Sequence, residues 1–339
     1  MRIVLDAMGS DQHPDPEVKA AVTAAEKYGD EILLVGKEDL LEPRLNALPG
    51  DHSKVHIIHA PETLEMEDKP AENARRKTDT SMAVGIDLVK AGEAEAFVTV
   101  GNTGGAMATA LFRLGRIRGV KRPALTGLFP VRGGFAAVLD IGANVDCKPE
   151  YLQQFAIMGS IYAEKILGKA NPRIGLLSNG EEAGKGNQLI KESYPLLEQS
   201  GLNFIGNVEG KELFGGAADV VVMDGFTGNI LLKSSEAVAK LITEVLKEEL
   251  MSSTRTKIGA LLAKPAFDQI RKMLDPREVG AAPLLGIDGL VFVGHGRSDD
   301  HALVSAIEVA RQAIQADLLT ALRDAIQTRL QEVRTKEIA

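Results

Sequence analysis

A glycine-rich segment with polar side chains, residues 101–105, has the residue types that bind a phosphate-sized anion. It reads Gly-Asn-Thr-Gly-Gly, and it lies between an apolar, β-branched run and a run of small helix-forming residues. This order predicts a strand, a turn and a helix. The first N–H groups of a helix have no partner within the helix, and its dipole favours negative charge there. Asn102 and Thr103 would add side-chain donors to the backbone of Gly104 and Gly105. A tight capped connection without a ligand fits the same spacing.

The same segment lacks the patterns of two common nucleotide-binding loops. Asn102 and Thr103 separate the first glycine from the next, so the segment is not G-x-G-x-x-G. No Gly-Lys-Ser/Thr follows it, as a Walker loop would require. The turn therefore favours a small anion over a nucleotide.

Three more residues with reactive side chains lie in loops that follow predicted strands. Lys185 lies between two glycines, which would let its ammonium group reach an anion; a solvated loop lysine is the alternative. His295, also between two glycines, could donate to a phosphoryl or carbonyl oxygen or act as an acid, or it could be structural. Cys147 lies between Asp146 and Lys148 and could be a nucleophile. An unpaired cysteine is more commonly a small buried apolar residue.

The sequence gives little support for a metal site. The six histidines and the single cysteine show no spacing typical of metal ligands. Asp219 and Asp224 flank one predicted strand and could bind a divalent cation, although paired carboxylates at strand ends more often cap and orient loops. We therefore expect neither a metal nor a cofactor.

A basic segment, residues 113–122, follows the glycine-rich turn. It contains no acid, although the whole chain has a net charge of −8. Its cationic residues are Arg113, Arg116, Arg118, Lys121 and Arg122. Such a patch on an acidic protein suggests an acidic partner or an anionic surface, and a solvated face is the alternative.

The elements that must position these residues indicate an α/β fold. Strands alternate with helices along the chain, which predicts a mostly parallel sheet with helices on both faces. Segments 124–130 and 135–139 predict a hairpin. Ligands of open α/β sheets bind outside the carboxyl ends of strands, and we expect six small polar loops to lie together on that side. These loops span residues 6–11, 101–105, 140–146, 178–187, 224–229 and 294–299.

Composition limits the class of protein. The chain has 339 residues, 45% of them hydrophobic and 25% charged, as in ordinary soluble proteins. Its negative charge and 4% aromatic content, with no Trp, argue against nucleic-acid binding. One cysteine excludes an internal disulfide and fits a reducing cytoplasm. No stretch approaches the roughly 18 apolar residues of a membrane span, and the first strand leaves no room for a signal peptide, so we expect a cytosolic protein.

The segment 251–274 interrupts the α/β alternation after a long predicted helix. It carries apolar residues among basic ones, with Pro265 between two predicted helices. This pattern fits an amphipathic element that lies on an anionic membrane, with Leu261 and Leu262 at the contact. We expect a projecting helical hairpin, inserted at about 230–275, to carry this element; burial of its apolar side in a dimer is the alternative, and a projecting tip could serve both roles.

Several long motifs resemble those of the bacterial phosphate acyltransferases of phospholipid synthesis. They follow one another through nearly the whole chain, at residues 1–9, 94–105, 140–149, 180–187, 203–210, 219–229, 280–286 and 295–299. Ser10, Gly105 and the pair Ser178-Asn179 depart from the usual residues of that family. None of these departures removes a candidate catalytic group.

The resemblance implies a fold, an activity and partners. It implies a single α/β domain over residues 1–339, a three-layer α/β/α sandwich related to phosphotransacetylases and to isocitrate and isopropylmalate dehydrogenases, in a homodimer. It also implies transfer of a fatty acyl group from acyl carrier protein to inorganic phosphate, without a cofactor. The acyl phosphate would pass to a membrane glycerol-phosphate acyltransferase, so the protein would associate peripherally with the inner face of the cell membrane.

This activity assigns expected roles to the candidates. The phosphate contacts would be Asn102, Thr103, Gly104, Gly105 and Asn187. The catalytic groups would be Lys185, His295 and Asn229, and the basic segment 113–122 would bind the acidic carrier protein.

Two other functions fit parts of the sequence. A nicotinamide-dependent dehydrogenase of the same fold has a cofactor loop similar to Gly294-His-Gly296, but residues 297–300 lack the proline expected there. A non-catalytic regulator would bind phosphate or the carrier protein and release no thiol.

Overall fold

One sheet of 11 strands organises the chain, in a computed structural model that describes residues 1–65, 68 and 70–338. The strands are β1 (Arg2–Asp6), β2 (Glu31–Gly36), β3 (Val55–His59), β4 (Ala96–Thr99), β5 (Ala124–Val131), β6 (Gly134–Leu139), β7 (Ile174–Leu177), β8 (Phe204–Val208), β9 (Val220–Val222), β10 (Ala281–Leu285) and β11 (Leu290–Gly294). Their spatial order is β3-β2-β1-β4-β11-β10-β5-β6-β9-β7-β8.

Helices cover both faces of this sheet. They are α1 (Asp15–Tyr28), α2 (Glu38–Ala47), α3 (Pro70–Arg76), α4 (Ser81–Lys90), α5 (Thr103–Arg113), α6 (Pro149–Ile166), α7 (Gln188–Glu198), α8 (Gly210–Gly215), α9 (Gly225–Met251), α10 (Thr254–Leu274), α11 (Pro276–Val279), α12 (Asp300–Gln315) and α13 (Leu318–Ile338). Side chains alternate along each strand, so Ile3 and Leu5 pack in one layer and Val4 in the other. The layers confirm the predicted three-layer α/β/α sandwich.

Two blocks of parallel strands run in opposite directions in the sheet. The first block contains β1 to β4 and β11, and the second contains β6 to β9. Between them, β10 is antiparallel to both β11 and β5, and β5 is antiparallel to β6. The predicted β5–β6 hairpin is confirmed. Three reversals in a row leave the second block antiparallel to the first.

The expectation that the six polar loops share one side of the sheet was therefore wrong. The loops at 6–11, 101–105 and 294–299 follow strands of the first block. Those at 140–146, 178–187 and 224–229 follow strands of the second block, at the opposite end of the sheet. The reason is that three antiparallel pairings, an odd number, separate β11 from β6, and two of them are made by β10, which lies far from β5 in the sequence.

Helices α9 and α10 form a hairpin joined at Ser252 and Ser253. In α9 the buried residues are Gly225 and Gly228, and α10 has no buried residue in the described part of the chain. Pro265 lies inside α10 rather than between two helices. The carbonyl group that loses its helical partner there can bind water, because this surface is exposed. No helix among the described residues is long and apolar enough to cross a bilayer.

Candidate active site

A cavity of about 100 Å³ lies between the start of α5 and the loop that follows β6. Its lining consists of Thr103, Gly104 and Met107 from α5, Gly142 and Ala143 from the loop, and Leu125, Leu284 and Val293 from β5, β10 and β11. The three strand residues belong to the same layer of the core. The two loops leave the sheet at opposite ends, and both reach the cavity because they fold over the same face of the central strands.

The first turn of α5 has unpaired backbone donors. Asn102 caps this helix, and its Oδ1 accepts a hydrogen bond from the Gly105 N–H at 2.9 Å. Its Nδ2 donates to the carbonyl oxygen of Glu65 at 3.2 Å. Among the described residues, the N–H groups of Thr103 and Gly104 have no partner. The cap therefore engages Gly105, and the donors left for an anion are those of Thr103 and Gly104.

A buried carboxylate shapes the loop on the other side of the cavity. Asp140 is fully buried and accepts five hydrogen bonds: from the N–H groups of Leu125 (3.1 Å), Gly142 (3.0 Å), Ala143 (2.9 Å) and Asn144 (2.7 Å), and from Asn144 Nδ2 (2.8 Å). Burial raises the pKa of Asp140, and these hydrogen bonds oppose the rise. The carboxylate thus holds Gly142 and Ala143 at the cavity wall.

A second buried carboxylate positions the glycine-rich turn. The Thr99 hydroxyl donates to Asp6 Oδ2 at 2.7 Å, and Thr99 Oγ1 accepts from the Gly101 N–H at 3.0 Å. The Met8 N–H donates to Asp6 Oδ1 at 3.1 Å. Burial raises the pKa of Asp6, while the hydrogen bond from Thr99 lowers it. Asp6 therefore ties the loop after β1 to the first residue of the turn.

His295 lies at the same end of the first block. It is exposed, and the Arg297 N–H donates to its Nδ1 at 3.3 Å. Although His295 is exposed overall, the burial of part of the residue lowers its pKa, and the positive charges of Lys233 and Arg297 lower it further. Its ordinary pKa is about 6.5, so the neutral imidazole is favoured at neutral pH. We did not predict Lys233 from the sequence.

Asn229 lies beside the cavity wall. A Cβ atom added to Gly142 would be 3.8 Å from the Asn229 Cβ, and Asn229 itself is exposed at the start of α9. Lys233 follows Asn229 by one helical turn, and residues at this spacing share a face. Their four-residue spacing within a predicted helix is the sequence signal that could have identified Lys233.

The structure places Lys185 and Asn187 in the second block, after β7. Lys185 is exposed, and its N–H donates to the carbonyl oxygen of Glu182 at 2.9 Å. Asn187 caps α7 by accepting from the Ile190 N–H at 3.0 Å. Neither residue is among those that line the cavity. Their roles in catalysis and phosphate binding stay predictions.

The basic segment 113–122 begins at the far end of α5 from the glycine-rich turn. The 11 residues of α5 span roughly 16 Å. Arg113 forms an ion pair with Asp87, which reduces the charge that it can offer to a partner. The remaining cationic residues are exposed: Arg116, Arg118, Lys121 and Arg122. Contact with an acidic carrier protein stays a prediction for this surface.

Two alternatives from the sequence fit the structure poorly. Burial raises the pKa of the Cys147 thiol to about 12, so it stays protonated at neutral pH and is a weak nucleophile. Asp219 pairs with Arg173 at 2.9 Å, and this contact lowers the pKa of Asp219 to about 2. Asp224 caps α9 by accepting from the Thr227 N–H at 2.8 Å. Both aspartates therefore have structural partners.

Within the described ranges, one group of three carboxylates is close enough to share a cation: Glu181, Glu209 and Glu212. The ammonium group of Lys211 lies among them, 3.0 Å from Glu181, 3.4 Å from Glu209 and 3.4 Å from Glu212. Lys211 therefore already supplies a positive charge to this partly exposed network.

Two close relatives match almost the whole chain. Residues 1–321 match the family described as fatty acid synthesis protein. The phosphate acyltransferase of Pelotomaculum thermopropionicum is 47% identical over 328 residues, which cover 97% of this chain and 96% of that protein. The phosphate acyltransferase of Acidobacterium capsulatum is 48% identical over 311 residues, covering 91% of this chain and 92% of that protein.

A solved structure supports the fold. A phosphotransacetylase from Streptococcus pyogenes is similar with a TM-score of 0.61, over 93% of this chain and 94% of that chain. The two sequences are 16% identical, so this likeness concerns the fold alone. It confirms the expected relation to the phosphotransacetylase fold.

Proposed function

Since this chain belongs to the phosphate acyltransferase family of fatty acid synthesis proteins, we propose that it transfers a fatty acyl group from the thioester of acyl carrier protein to inorganic phosphate. The observation that carries the proposal is that backbone donors and apolar side chains line the same cavity. Unpaired N–H groups of Thr103 and Gly104 suit a phosphate dianion at one end. Apolar side chains beyond them suit an alkyl chain.

The reaction needs little activation by the protein. An oxygen of hydrogen phosphate attacks the thioester carbonyl carbon, and the carbon–sulfur bond breaks. The proton of hydrogen phosphate passes to the departing thiolate, so the products are an acyl phosphate and the free thiol of the carrier protein. Phosphate is already a nucleophile at neutral pH, and the main tasks of the site are to position it and to stabilise the developing oxyanion.

The side chains around the cavity suit these two tasks. In the proposal, the N–H groups of Thr103 and Gly104 hold the phosphate. Asn229 borders Gly142 and can donate its amide N–H to the oxyanion. Neutral His295 can donate to a phosphoryl oxygen without adding a further positive charge. Lys185 would join them only when its loop approaches the cavity.

The proposed partners use two separate surfaces. The acidic carrier protein meets the exposed cations of the basic segment 113–122, where opposite charges speed the encounter. The hairpin of α9 and α10 meets an anionic membrane, close to the acyltransferase that consumes the product. Leu261 is 71% exposed and Leu262 79%, which supports an apolar contact at this hairpin. Other apolar residues of the hairpin would be covered in a homodimer.

The proposal can be tested at a single backbone N–H group. Thr103 is the first residue of α5, and proline is well tolerated at that helix position because it needs no N–H there. Asn102 before it has φ −57° and ψ 110°, close to the conformation that precedes proline. Thr103→Pro therefore removes the N–H and the hydroxyl, whereas Thr103→Ala removes the hydroxyl alone.

The assay measures phosphate-dependent release of thiol from acyl-[acyl carrier protein]. We expect Thr103→Pro to lower kcat/KM for phosphate about 10²-fold relative to Thr103→Ala, as loss of one such donor commonly does. Thiol release that does not require phosphate, or equal activity of the two variants, would contradict the proposed site.

A further inference from the structure

The apolar end of the cavity has no assigned ligand. Met107, Leu125, Leu284 and Val293 contribute apolar side chains to the lining, and Thr103 and Gly104 of the first turn of α5 line the same cavity. Leu284 and Val293 are nearly fully buried, and Met107 is half-buried. A ligand that bridges both ends must therefore have a polar head and an alkyl part.

The size of the cavity limits what can enter its apolar end. A volume of about 100 Å³ has room for only a few groups of the size of a water molecule or a methylene group. An entire fatty acyl chain is too large, and a phosphate ion placed among these side chains would lose its hydration without gaining partners. A short run of methylene groups fits both the volume and the lining.

We propose that the cavity holds the methylene groups next to the thioester carbonyl, and that Met107 sets how wide the acyl chain can be at that point. This assignment rests on the proposed acyl transfer. The remainder of the chain leaves the cavity through its open side. The enzyme then accepts straight-chain acyl groups and rejects those with a branch beside the carbonyl.

The position of Met107 gives it this role. It follows Thr103 by four residues in α5, so both lie on one face of the helix. Helical side chains tilt toward the N-terminus, which directs Met107 toward the turn that holds the phosphate. Leu111, one turn further along, is half-buried and does not line the cavity. It is therefore a matched control for loss of apolar volume from α5.

The experiment compares two acyl donors of equal chain length, the hexadecanoyl and 2-methylhexadecanoyl thioesters of acyl carrier protein, at saturating phosphate. One methyl group in a hydrophobic pocket discriminates by about 10-fold or more. We expect wild type and Leu111→Ala to prefer the straight donor by at least that ratio. Met107→Ala should lower the preference by about 10-fold, and Met107→Phe should raise KM for both donors. KM for phosphate should change less than about 2-fold in every variant, because Met107 adds no donor to the phosphate.

Each alternative outcome rejects a particular statement. Unchanged discrimination in Met107→Ala together with unchanged KM values in Met107→Phe, with an active wild type, would overturn the assignment of the cavity. A rise in KM for phosphate without a change in donor preference would place the phosphate beside Met107, where the methylene groups were assigned, and would also overturn the assignment. A wild type that releases no thiol from either donor would instead reject the proposed function. Thermal unfolding of Met107→Ala and Leu111→Ala checks that the two truncations leave equally folded proteins.

Discussion

Glu17 makes the stability of this protein depend on pH in a direction that is unusual for a carboxylate. The side chain lies in α1 with no exposed surface, and its Oε1 accepts a hydrogen bond from the Ser10 N–H at 2.9 Å. In the described part of the chain, Oε2 has no hydrogen-bond partner. Burial raises the pKa of Glu17 to about 7, and the charge of Asp6 adds to the rise.

The sign of the effect follows from proton binding. An unfolded glutamate has a pKa of about 4.3, so between that pH and about 7 the folded protein holds a proton that the unfolded chain has lost. The stability that this proton contributes is fully present below about pH 4 and is lost as the pH rises through 7. A pKa difference of this size corresponds to about 3–4 kcal/mol of unfolding free energy above pH 7. That is a large part of the roughly 5–15 kcal/mol that stabilises a typical domain.

The substitution Glu17→Gln isolates this contribution. The amide stays neutral at every pH, and its oxygen can keep the hydrogen bond from Ser10. We expect the variant to match wild type near pH 5 and to be more stable by about 2–3 kcal/mol at pH 8. Urea unfolding at both pH values measures the difference. Glu26→Gln, an exposed position in the same helix, is the control.

The reasoning fails if Glu17→Gln changes the unfolding free energy by the same amount at both pH values. Such a result would mean that the carboxyl group has the same pKa in the folded and unfolded chains, because solvent reaches it in the folded protein. An equal pH dependence in Glu26→Gln would point to a global charge effect instead.

Four further substitutions test other parts of the structure. Asp140→Asn places an amide N–H among backbone donors. Urea unfolding should show that the free energy of unfolding falls by about 2–4 kcal/mol, because each buried unsatisfied donor costs roughly 1–3 kcal/mol. An unchanged unfolding midpoint would contradict the role of this carboxylate. Cys147→Ala should keep most of its thiol-release activity, because the thiol is protonated, and an inactive folded variant would reverse that assignment. Lys185→Ala should lose about 10²-fold in kcat/KM if its loop reaches the bound phosphate; full activity would remove Lys185 from the site. The double variant Leu261→Glu/Leu262→Glu should pellet less than wild type with anionic liposomes while remaining folded and active, and equal pelleting would place the membrane contact elsewhere.

Local patterns of the sequence were sufficient for several elements of the fold and of the candidate site. The strand, turn and helix around residues 101–105 were predicted because β-branched residues, glycines and small helix formers act over a few neighbours. The hairpin of β5 and β6 was predicted in the same way, from two apolar runs joined by two glycines. The long motifs of residues 94–105 and 219–229 also predicted the family, which the relatives confirm.

The arrangement of the loops depended on strand pairing that no local pattern contains. The cavity joins Gly142 to Leu284 and Val293, residues that lie about 140 to 150 positions apart in the sequence. Their meeting depends on β10, which pairs with both β11 and β5 and so brings the two halves of the sheet together, while the further antiparallel pairing of β5 with β6 leaves the second half reversed. Periodicity predicts that such strands exist, but their order follows from contacts between distant segments.

Some properties of individual side chains likewise follow from the local sequence, whereas others depend on the tertiary structure. The sequence by itself determined that Thr103 and Gly104 begin a helix and that Cys147 is unpaired. Only the tertiary structure decided that the Cys147 thiol stays protonated and that Lys233 acts on His295. Helix starts depend on the conformation of a few adjacent residues, whereas burial and electrostatic effects depend on everything that packs around a group.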